Sequence, residues 1–572
     1  MRRVFNPHQS TGPKNYEITK INQINMKFRT FFAASLAAFA LSASAQTHLE
    51  GAEYYKADQL DNAKELLLRN LNNAGTDKAI ANYYLGQIAS DENKLDEAKK
   101  YFDAGVQANP DYGYNYIGLG GVALKNGDKK AAEDYFKKGE SLFKNDASAE
   151  IAIARAYYDA DPVAYAKEIT KKVEKARKVS KNQAPEIYIF EGDQEKDKKN
   201  WGGAAGKYEM AKSYNPNATE AYVKYANLYT QVNPQFAVQM LKELLSVNPT
   251  SALGQRELAN AYYNKKDYAD AAREYGVYVQ NPNHFKQDED RYALLLFSSS
   301  DFQKGYDFAS KLLAENPGNF TARRFQFMNA ANLPAMKEQL VPLAEELLAA
   351  HNANPSANKF APIDFILIAE EMTNAKRTDE AIAVLNEAIK EIPDNASFNK
   401  QLAMTYMESN NFSGASDAFE GYIAKLEKPD FNDFSQQATF SFYAGVENKQ
   451  DNPDKAESYF KKTEDYAKKA EEALPGNYRP FKIYGDVAMQ RAASEEEAKT
   501  VAFPMYSEAA VLIEKSQDPS RYARDAKTIY NYLGNYYLDQ KDVAKAKENF
   551  NKYLQYDPNN EAYRKFVEGL KD

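Results

Sequence analysis

The sequence predicts an all-α fold in which antiparallel helix hairpins stack into a solenoid. One phrase recurs at a fixed period: Gly86 and Gly120 are 34 residues apart, and so are Ala98 and Ala132. Each repeat contains two apolar stripes of helical period, separated by a short polar turn. Because a single hairpin of this kind cannot bury its own apolar face, the repetition predicts that neighbouring hairpins share one continuous core.

Small residues and prolines mark where each hairpin is tight and where it ends. A glycine in the first helix lets the second helix approach closely, where a side chain would hold the two apart. An alanine serves the same purpose on the second helix, and a proline then ends that helix because it cannot continue the hydrogen-bond ladder. The residues at these places are Gly86, Gly120, Gly192, Gly485 and Gly534; Ala98, Ala132, Ala204, Ala381 and Ala546; and Pro110, Pro216, Pro249, Pro393 and Pro558.

This repeat resembles that of the tetratricopeptide repeat family, in which a large residue, Leu-Gly and Tyr are followed by Ala, Phe, Ala and Pro. Leu85, Gly86, Ala98, Phe102 and Pro110 carry the signature in one repeat. The resemblance implies a right-handed superhelix with a concave groove, lined mainly by the first helix of each repeat, and recognition of proteins there, commonly as extended peptides. The best matches are the segments 79–112, 113–146, 185–218, 362–395, 396–429 and 527–560.

The repeats divide the chain into two predicted arrays, at 46–320 and 362–560. Between them, the segment 321–361 departs from the pattern and is rich in proline, so we expect an irregular joint there. The segment 561–572 is polar, as expected of a helix that caps the last repeat of a solenoid.

The N-terminal part of the sequence has the pattern of a secretory signal peptide. From Met26 onward, Lys27 and Arg29 precede an apolar stretch at 31–41, and small residues follow at 43–45. The apolar stretch is well short of the ~20 residues that a membrane-spanning helix needs. We therefore expect an exported protein whose initiator is Met26.

Cleavage is expected between Ala45 and Gln46, so the mature chain lacks residues 1–45 whether translation starts at Met26 or at Met1. The mature chain then carries 67 basic and 80 acidic side chains, a net charge of −13. It is expected to contain no integral membrane segment. We therefore expect a soluble, acidic protein of the periplasm or associated with the outer membrane.

The composition argues against an enzyme and against nucleic acid as a partner. The 572 residues include no cysteine, which excludes disulfides, thiolate nucleophiles and zinc–thiolate sites. The net charge of −8 is the opposite of the positive charge with which proteins bind nucleic acid. His284 and His351 belong to no metal-binding pair, so each is interpreted as a surface or loop histidine. No catalytic residue, cofactor or metal ion is therefore expected.

The candidate binding site lies on two neighbouring first helices, whose groove-facing residues are predicted to be Val223, Asn227, Thr230, Arg256, Asn260 and Tyr263. Arg256 and Asn260 lie one turn apart on one helix face and offer a cation and an amide to a carboxylate or a peptide backbone. The pair resembles one repeat's share of the carboxylate clamp with which some tetratricopeptide repeat proteins hold chaperone tails. Ordinary polar surface is the alternative interpretation of the same residues.

Two functions of different classes agree with these observations. The first is a non-enzymatic scaffold of the periplasm or cell envelope that binds another envelope protein, or an extended peptide of it, in the groove. The alternative is a carbohydrate- or cell-wall-associated module in which groove tyrosines stack on sugar rings. Most of the 42 tyrosines are expected to pack between helices, while a few, such as Tyr83 and Tyr263, are expected to face the groove.

Overall fold

The computed structural model describes residues 47–516 and 518–571, and every regular element within those ranges is helical. The predicted all-α fold is confirmed: successive helices pair into antiparallel hairpins that pack side by side as a solenoid. The predicted signal peptide, the segment upstream of it and the cleavage site before Gln46 lie outside the described residues. Within the described ranges, no helix combines the length and the apolar character that crossing a bilayer requires.

Contacts divide the chain into two compact units, one up to Gly305 and one from Tyr306. The helices of the first unit are α1 (Thr47–Lys56), α2 (Leu60–Asn70), α3 (Lys78–Asp91), α4 (Leu95–Ala108), α5 (Tyr114–Lys125), α6 (Lys129–Ser141), α7 (Ala147–Ala160), α8 (Ala166–Ser180), α9 (Pro185–Asp197), α10 (Trp201–Tyr214), α11 (Thr219–Tyr229), α12 (Pro234–Val247), α13 (Ala252–Asn264), α14 (Tyr268–Tyr278) and α15 (Gln287–Ser298). Helix α16 (Phe302–Glu315) contains the point of division.

The second unit continues the same arrangement of paired helices. Its helices are α17 (Phe320–Ala330), α18 (Leu340–Ala353), α19 (Pro362–Asn374), α20 (Thr378–Glu391), α21 (Ala396–Glu408), α22 (Phe412–Ile423), α23 (Phe431–Asn448), α24 (Pro453–Ala473), α25 (Arg479–Arg491), α26 (Glu495–Val501), α27 (Phe503–Glu514), α28 (Ala523–Asp539), α29 (Val543–Tyr556) and α30 (Glu561–Gly569). Two short 3₁₀ helices, Pro334–Gln339 and Pro519–Tyr522, stand between them.

The segment predicted as an irregular joint, 321–361, lies within the second unit and forms most of a helix hairpin, α17 and α18. Pro334 begins the 3₁₀ helix and Pro342 lies in the first turn of α18, where the missing N–H would have had no partner within the helix. Proline therefore starts elements here without ending the stack. The predicted boundaries at 320, 361 and 560 stay a prediction.

Several hairpins are tightened by an aromatic ring that fills the space left by a glycine. A Cβ atom built on Gly86 would lie 2.5 Å from the ring of Phe102, which is fully buried. A Cβ on Gly118, in the first helix of the next hairpin, would collide with the same ring. Phe102 thus packs between two successive first helices, and the predicted close approach at Gly86 is confirmed.

The first unit closes on itself, because helix α1 packs against α11 and α13. The ring of Tyr54 is fully buried and meets that of Phe285 edge to face, with centroids 5.3 Å apart. The hydroxyls of Thr219 and Ser251 donate to the two carboxylate oxygens of Glu53, at 3.1 and 3.0 Å. The hairpins of this unit therefore form a ring, with the first helix of the chain sealed against helices far along the sequence. We call these contacts the seam.

Candidate functional site

The ring of the first unit surrounds a cavity of about 500 Å³. Its walls are the first helices of six hairpins, α1, α3, α5, α7, α9 and α11. We call this space the inner cavity. Its volume lies within the roughly 300–1,000 Å³ typical of ligand pockets. The seam matters here because it brings α11 next to α1 and so completes the wall.

Tyrosines form one side of the inner cavity, namely Tyr55, Tyr83, Tyr84, Tyr112 and Tyr114. The ring of Tyr83 lies 5.0 Å from that of Tyr84 and 5.4 Å from that of Tyr114, measured between centroids. Such tilted and edge-on contacts suit the quadrupole of aromatic rings. Burial raises the pKa of Tyr83, Tyr112 and Tyr114, so these phenols stay neutral and offer hydroxyl donors.

A network of ion pairs centred on Asp193 joins α7, α9 and α11 along the wall. Arg155 Nη2 lies 2.7 Å from Asp193 Oδ2, and Lys224 Nζ lies 2.9 Å from Asp193 Oδ1. Although burial opposes it, the nearby charges of Arg155 and Lys224 hold the pKa of the Asp193 carboxyl at about 2. Lys224 also pairs with Asp58 at 2.6 Å, which ties α11 to the turn after α1. The cations here are already neutralised by the protein's own carboxylates.

Two further carboxylates of the cavity wall lack such partners. Asp91 accepts a hydrogen bond from the hydroxyl of Tyr55 at 3.0 Å and forms no ion pair with a described residue. Asp159 is exposed to the cavity, and its carboxylate forms neither an ion pair nor a hydrogen bond within the described chain. The surrounding helices desolvate Asp159 and raise its pKa to about 6, which the charge of Arg155 partly counteracts.

Comparisons with known proteins agree with this architecture. Models described as tetratricopeptide repeat match residues 83–147 and 227–283, residues 373–436 and residues 528–560. The chain contains tetratricopeptide repeats in both units. No curated protein matches the sequence significantly.

Solved structures of tetratricopeptide repeat proteins show only a remote likeness. The C-terminal part of a repeat-containing protein from Cytophaga hutchinsonii is 18% identical, with 50% of this chain and 100% of that chain covered and a TM-score of 0.39. A tetratricopeptide repeat protein from Parabacteroides merdae is 14% identical, with coverages of 53% and 99% and a TM-score of 0.29. Yeast Tom70 is 13% identical, with coverages of 93% and 100% and a TM-score of 0.27. Likenesses this low tell nothing about function.

The first three residues predicted to line the tetratricopeptide repeat groove differ in how far their side chains are exposed. Val223 is fully buried, so its side chain offers no surface to a ligand. Asn227 is exposed on the same helix, α11. Thr230 is partly buried and donates its hydroxyl to the backbone oxygen of Ala226 at 3.3 Å. Of these three, Asn227 alone presents an open polar side chain.

Arg256, the cation of the predicted clamp, belongs to the seam. Its guanidinium donates from Nε and Nη2 to the two oxygens of Asp288, at 2.6 and 3.2 Å, and from Nη1 to Gln59 Oε1 at 3.3 Å. Asn260 accepts hydrogen bonds from the Tyr275 hydroxyl and from Arg291. The structure therefore places the cation and the amide one turn apart, as expected, but gives each of them partners within the protein.

Tyr263, the last of the predicted residues, is partly buried on α13. The guanidinium carbon of Arg291 lies 5.6 Å from its ring centroid, and the ring of Tyr268 is 5.9 Å away. The ring therefore packs with its neighbours and keeps part of its surface open.

Sequence reasoning missed Arg155, Asp159, Asp193 and Lys224. The spacing of residues on one helix face could have pointed to two of them. Arg155 and Asp159 lie one turn apart on the first helix of a repeat, as Arg256 and Asn260 do. What the pattern could not show is which first helices face each other across the ring. That relation depends on the seam.

His351 is not the surface or loop histidine that the sequence indicated. Its side chain is fully buried on α18 and stacks on Phe360 with centroids 4.0 Å apart. Its Nδ1 donates to the backbone oxygen of Asn358 at 2.8 Å, and its Nε2 lies 3.1 Å from a carboxylate oxygen of Glu391. With Glu387, these groups keep their ligand atoms within 4.8 Å of one another, a spacing at which a metal ion could be held. The histidine was misjudged because its burial comes from aromatic packing that no local pattern shows.

Proposed function

We propose that this tetratricopeptide repeat protein is a non-enzymatic scaffold that binds an extended segment of another protein in the inner cavity of its first unit. Repeats of this family generally mediate interactions between proteins. The observation that carries the proposal is the ring: the seam turns the first helices of six hairpins toward one cavity of about 500 Å³. The tyrosines and the ion pairs of its wall give this space both apolar and polar contacts.

The side chains of the cavity suit a polypeptide ligand. Neutral tyrosine hydroxyls can donate to backbone carbonyls, and their rings can pack against apolar side chains. Partly exposed Tyr55, Tyr84 and Tyr112 provide such surfaces. A segment bound in extended form would present its own backbone groups to these donors, as expected of peptide recognition by a rigid concave surface.

The test is a selection of random peptides from a display library on the purified protein, followed by titration of the recovered peptides. Ala152 lines the cavity on α7, so Ala152→Trp fills part of it. Ala108 is exposed at the end of α4 and provides a matched control, Ala108→Trp. We expect recovered peptides to bind wild type and Ala108→Trp equally and Ala152→Trp at least tenfold more weakly, with unchanged helical circular dichroism. Peptides that bind Ala152→Trp as well as wild type would contradict the proposal.

We further propose that the partner is an envelope protein, because the sequence carries a signal-peptide pattern before Gln46. The test is N-terminal sequencing of the protein recovered from the cell envelope. The expected sequence begins Gln-Thr-His-Leu. A cytoplasmic protein that retains Met26 would contradict this part of the proposal.

The alternative, a carbohydrate- or cell-wall-associated module, is favoured by the same tyrosines, since sugar rings also stack on aromatic side chains. The two tryptophan variants distinguish it from the first proposal. Sedimentation with purified cell-wall fragments should then decrease for Ala152→Trp and not for Ala108→Trp. Equal sedimentation of wild type and Ala152→Trp would contradict a glycan site in the cavity.

A further inference from the structure

The charges of the inner cavity do not balance. The residues that line it include six carboxylates, Asp58, Asp91, Asp159, Glu186, Asp193 and Glu220, and three cations, Lys56, Arg155 and Lys224; a fourth cation, Lys196, pairs with Asp58 from outside this lining. Like charges gathered around one low-dielectric space repel each other unless a cation joins them. The cavity therefore has an excess of negative potential that a ligand of the right sign would relieve.

The cations of the wall are committed to the protein itself. Arg155 pairs with Asp193, Lys224 pairs with both Asp193 and Asp58, and Lys56 lies 3.8 Å from Glu220. Only 5% of the side-chain surface of Lys224 is exposed. An acidic ligand would have to break these pairs and leave carboxylates unpaired, which costs more than the new contacts return.

The carboxylates left over lie where a ligand can reach them. Asp159 is exposed to the cavity and has no ion-pair partner within the described chain. Asp91 accepts a hydrogen bond from the Tyr55 hydroxyl, forms no ion pair with a described residue, and feels the nearby charges of Lys125 and Arg155. Both line the inner cavity, Asp159 on α7 and Asp91 on α3, and the charge of Asp91 destabilises the charged form of Asp159. A single cation between them would remove that repulsion and replace the hydration that burial has taken away.

The tyrosines stand beside these carboxylates. Tyr55, which donates to Asp91, packs against Tyr84 with ring centroids 5.4 Å apart. Aromatic faces attract ammonium and guanidinium groups, and they cover the methylene stems of lysine and arginine. Carboxylate and aromatic ring together are suited to a long basic side chain more than to a small inorganic cation.

We propose that the inner cavity selects an extended protein segment that carries lysine or arginine, with its charged end on Asp159 and Asp91 and its stem along Tyr55 and Tyr84. This inference rests on the proposed function and adds the chemistry of the partner. The ion pairs of Asp193 keep the protein's own cations out of the binding position. Asp159 and Asp91 act as the receptor for the partner's cation.

The experiment uses three fluorescent peptides of equal length and the same Gly-Ser-Tyr framework, which carry lysine, glutamate or neither. We expect the lysine peptide to bind at least tenfold more tightly than the other two, and its affinity to fall as salt screens the charges. Equal binding of all three, with binding weakened by Ala152→Trp, would overturn the inference and leave the proposed function standing. Failure of every peptide to bind, or binding insensitive to Ala152→Trp, would overturn both.

Charge variants test whether the preference for the lysine peptide depends on Asp159. Asp159→Asn removes the receptor charge without removing a contact of the fold, and we expect it to weaken the lysine peptide about tenfold. Asp159→Lys should reverse the order, so that the glutamate peptide binds best. Asp134, exposed on α6 outside the cavity, provides the control Asp134→Asn, which should leave all affinities unchanged. Equal losses in Asp159→Asn and Asp134→Asn would mean attraction by net charge alone and would overturn the inference.

Discussion

Tyr54 and Phe285 meet edge to face across the seam, although they stand near opposite ends of the first unit. Both rings are fully buried, and Arg69 and Arg256 both place their guanidinium groups near the ring of Phe285. The contact joins the first helix of the described chain to the loop before α15. This ring contact is the apolar part of the seam. It can be tested separately from the hydrogen bonds of Glu53, which are the polar part.

Tyr54→Ala should open the ring. Removing a fully buried aromatic side chain costs about 3–5 kcal/mol, and the loss should appear as faster hydrogen exchange in α1 and α13, measured by mass spectrometry. Tyr54→Phe should keep the seam closed, because the tyrosine hydroxyl is buried without a hydrogen-bond partner among the described residues. Leu49→Ala, at an exposed position of the same helix, is the control. Unchanged protection of α1 in Tyr54→Ala would show that the seam does not depend on this contact.

Stability of the seam should fall as the pH rises. Burial, with the charge of Glu53, raises the pKa of Glu50 to about 8, although backbone N–H groups at the start of α13 favour the charged form. Burial also raises the pKa of Glu53, which faces Ser251, Thr219, Glu220 and Lys56. A carboxyl whose folded pKa is raised contributes stability that is complete below the unfolded pKa of about 4.5 and lost as pH rises through the folded value.

The melting temperature of the first unit should therefore decrease between about pH 5 and pH 8, where Glu50 is ionised in the unfolded chain but still protonated in the folded one. It should level off above the folded pKa of about 8. Glu50→Gln keeps the shape of the side chain without its charge, so its melting temperature should change less over the same range. Scanning calorimetry of both proteins provides the comparison. An equal decrease in wild type and Glu50→Gln would exclude Glu50 as the cause.

Arg256→Ala should lower the free energy of unfolding, because Arg256 serves the seam and not a ligand. The side chains of Arg256 and Asp288 are only 12% and 5% exposed, and removing one partner of a buried pair costs about 3–5 kcal/mol. Asn227→Ala, at an exposed position, should change the free energy of unfolding by no more than about 0.5 kcal/mol. Urea unfolding of both variants measures this. A binding loss in Asn227→Ala at unchanged stability would instead support the site predicted from the sequence.

Neighbouring glycines of α5 should respond in opposite ways to the same substitution. A Cβ on Gly120 would overlap the buried ring of Phe136, so Gly120→Ala should cost about 1–3 kcal/mol through overpacking. A Cβ on Gly121 would only touch Ala156 at 3.4 Å, so Gly121→Ala should be neutral or should stabilise by up to about 1 kcal/mol through helix propensity. Chemical denaturation of the two variants gives the answer. Similar effects at both positions would contradict the packing described here.

The hairpins were predictable from the sequence because their contacts are local. Gly86 and Phe102 lie in one repeat, and the same pair of roles returns with Gly120 and Phe136 one repeat later. Burial of the apolar stripes then follows from stacking, whichever repeat is considered. The pattern could also place Arg256 and Asn260 on one helix face, which the structure confirms.

The sequence by itself determined the repeat, the all-α solenoid and the positions at which helices touch, since each depends on residues within one or two repeats. Only the tertiary structure decided that Arg256 pairs with Asp288 and Gln59, and that Asp159 lines the inner cavity without an ion-pair partner among the described residues. The reason is physical: each repeat adds a small rotation to the stack, and closure depends on the sum of these rotations. No single repeat contains that sum, so the first helix meets its distant neighbours in a way that only the folded ring reveals.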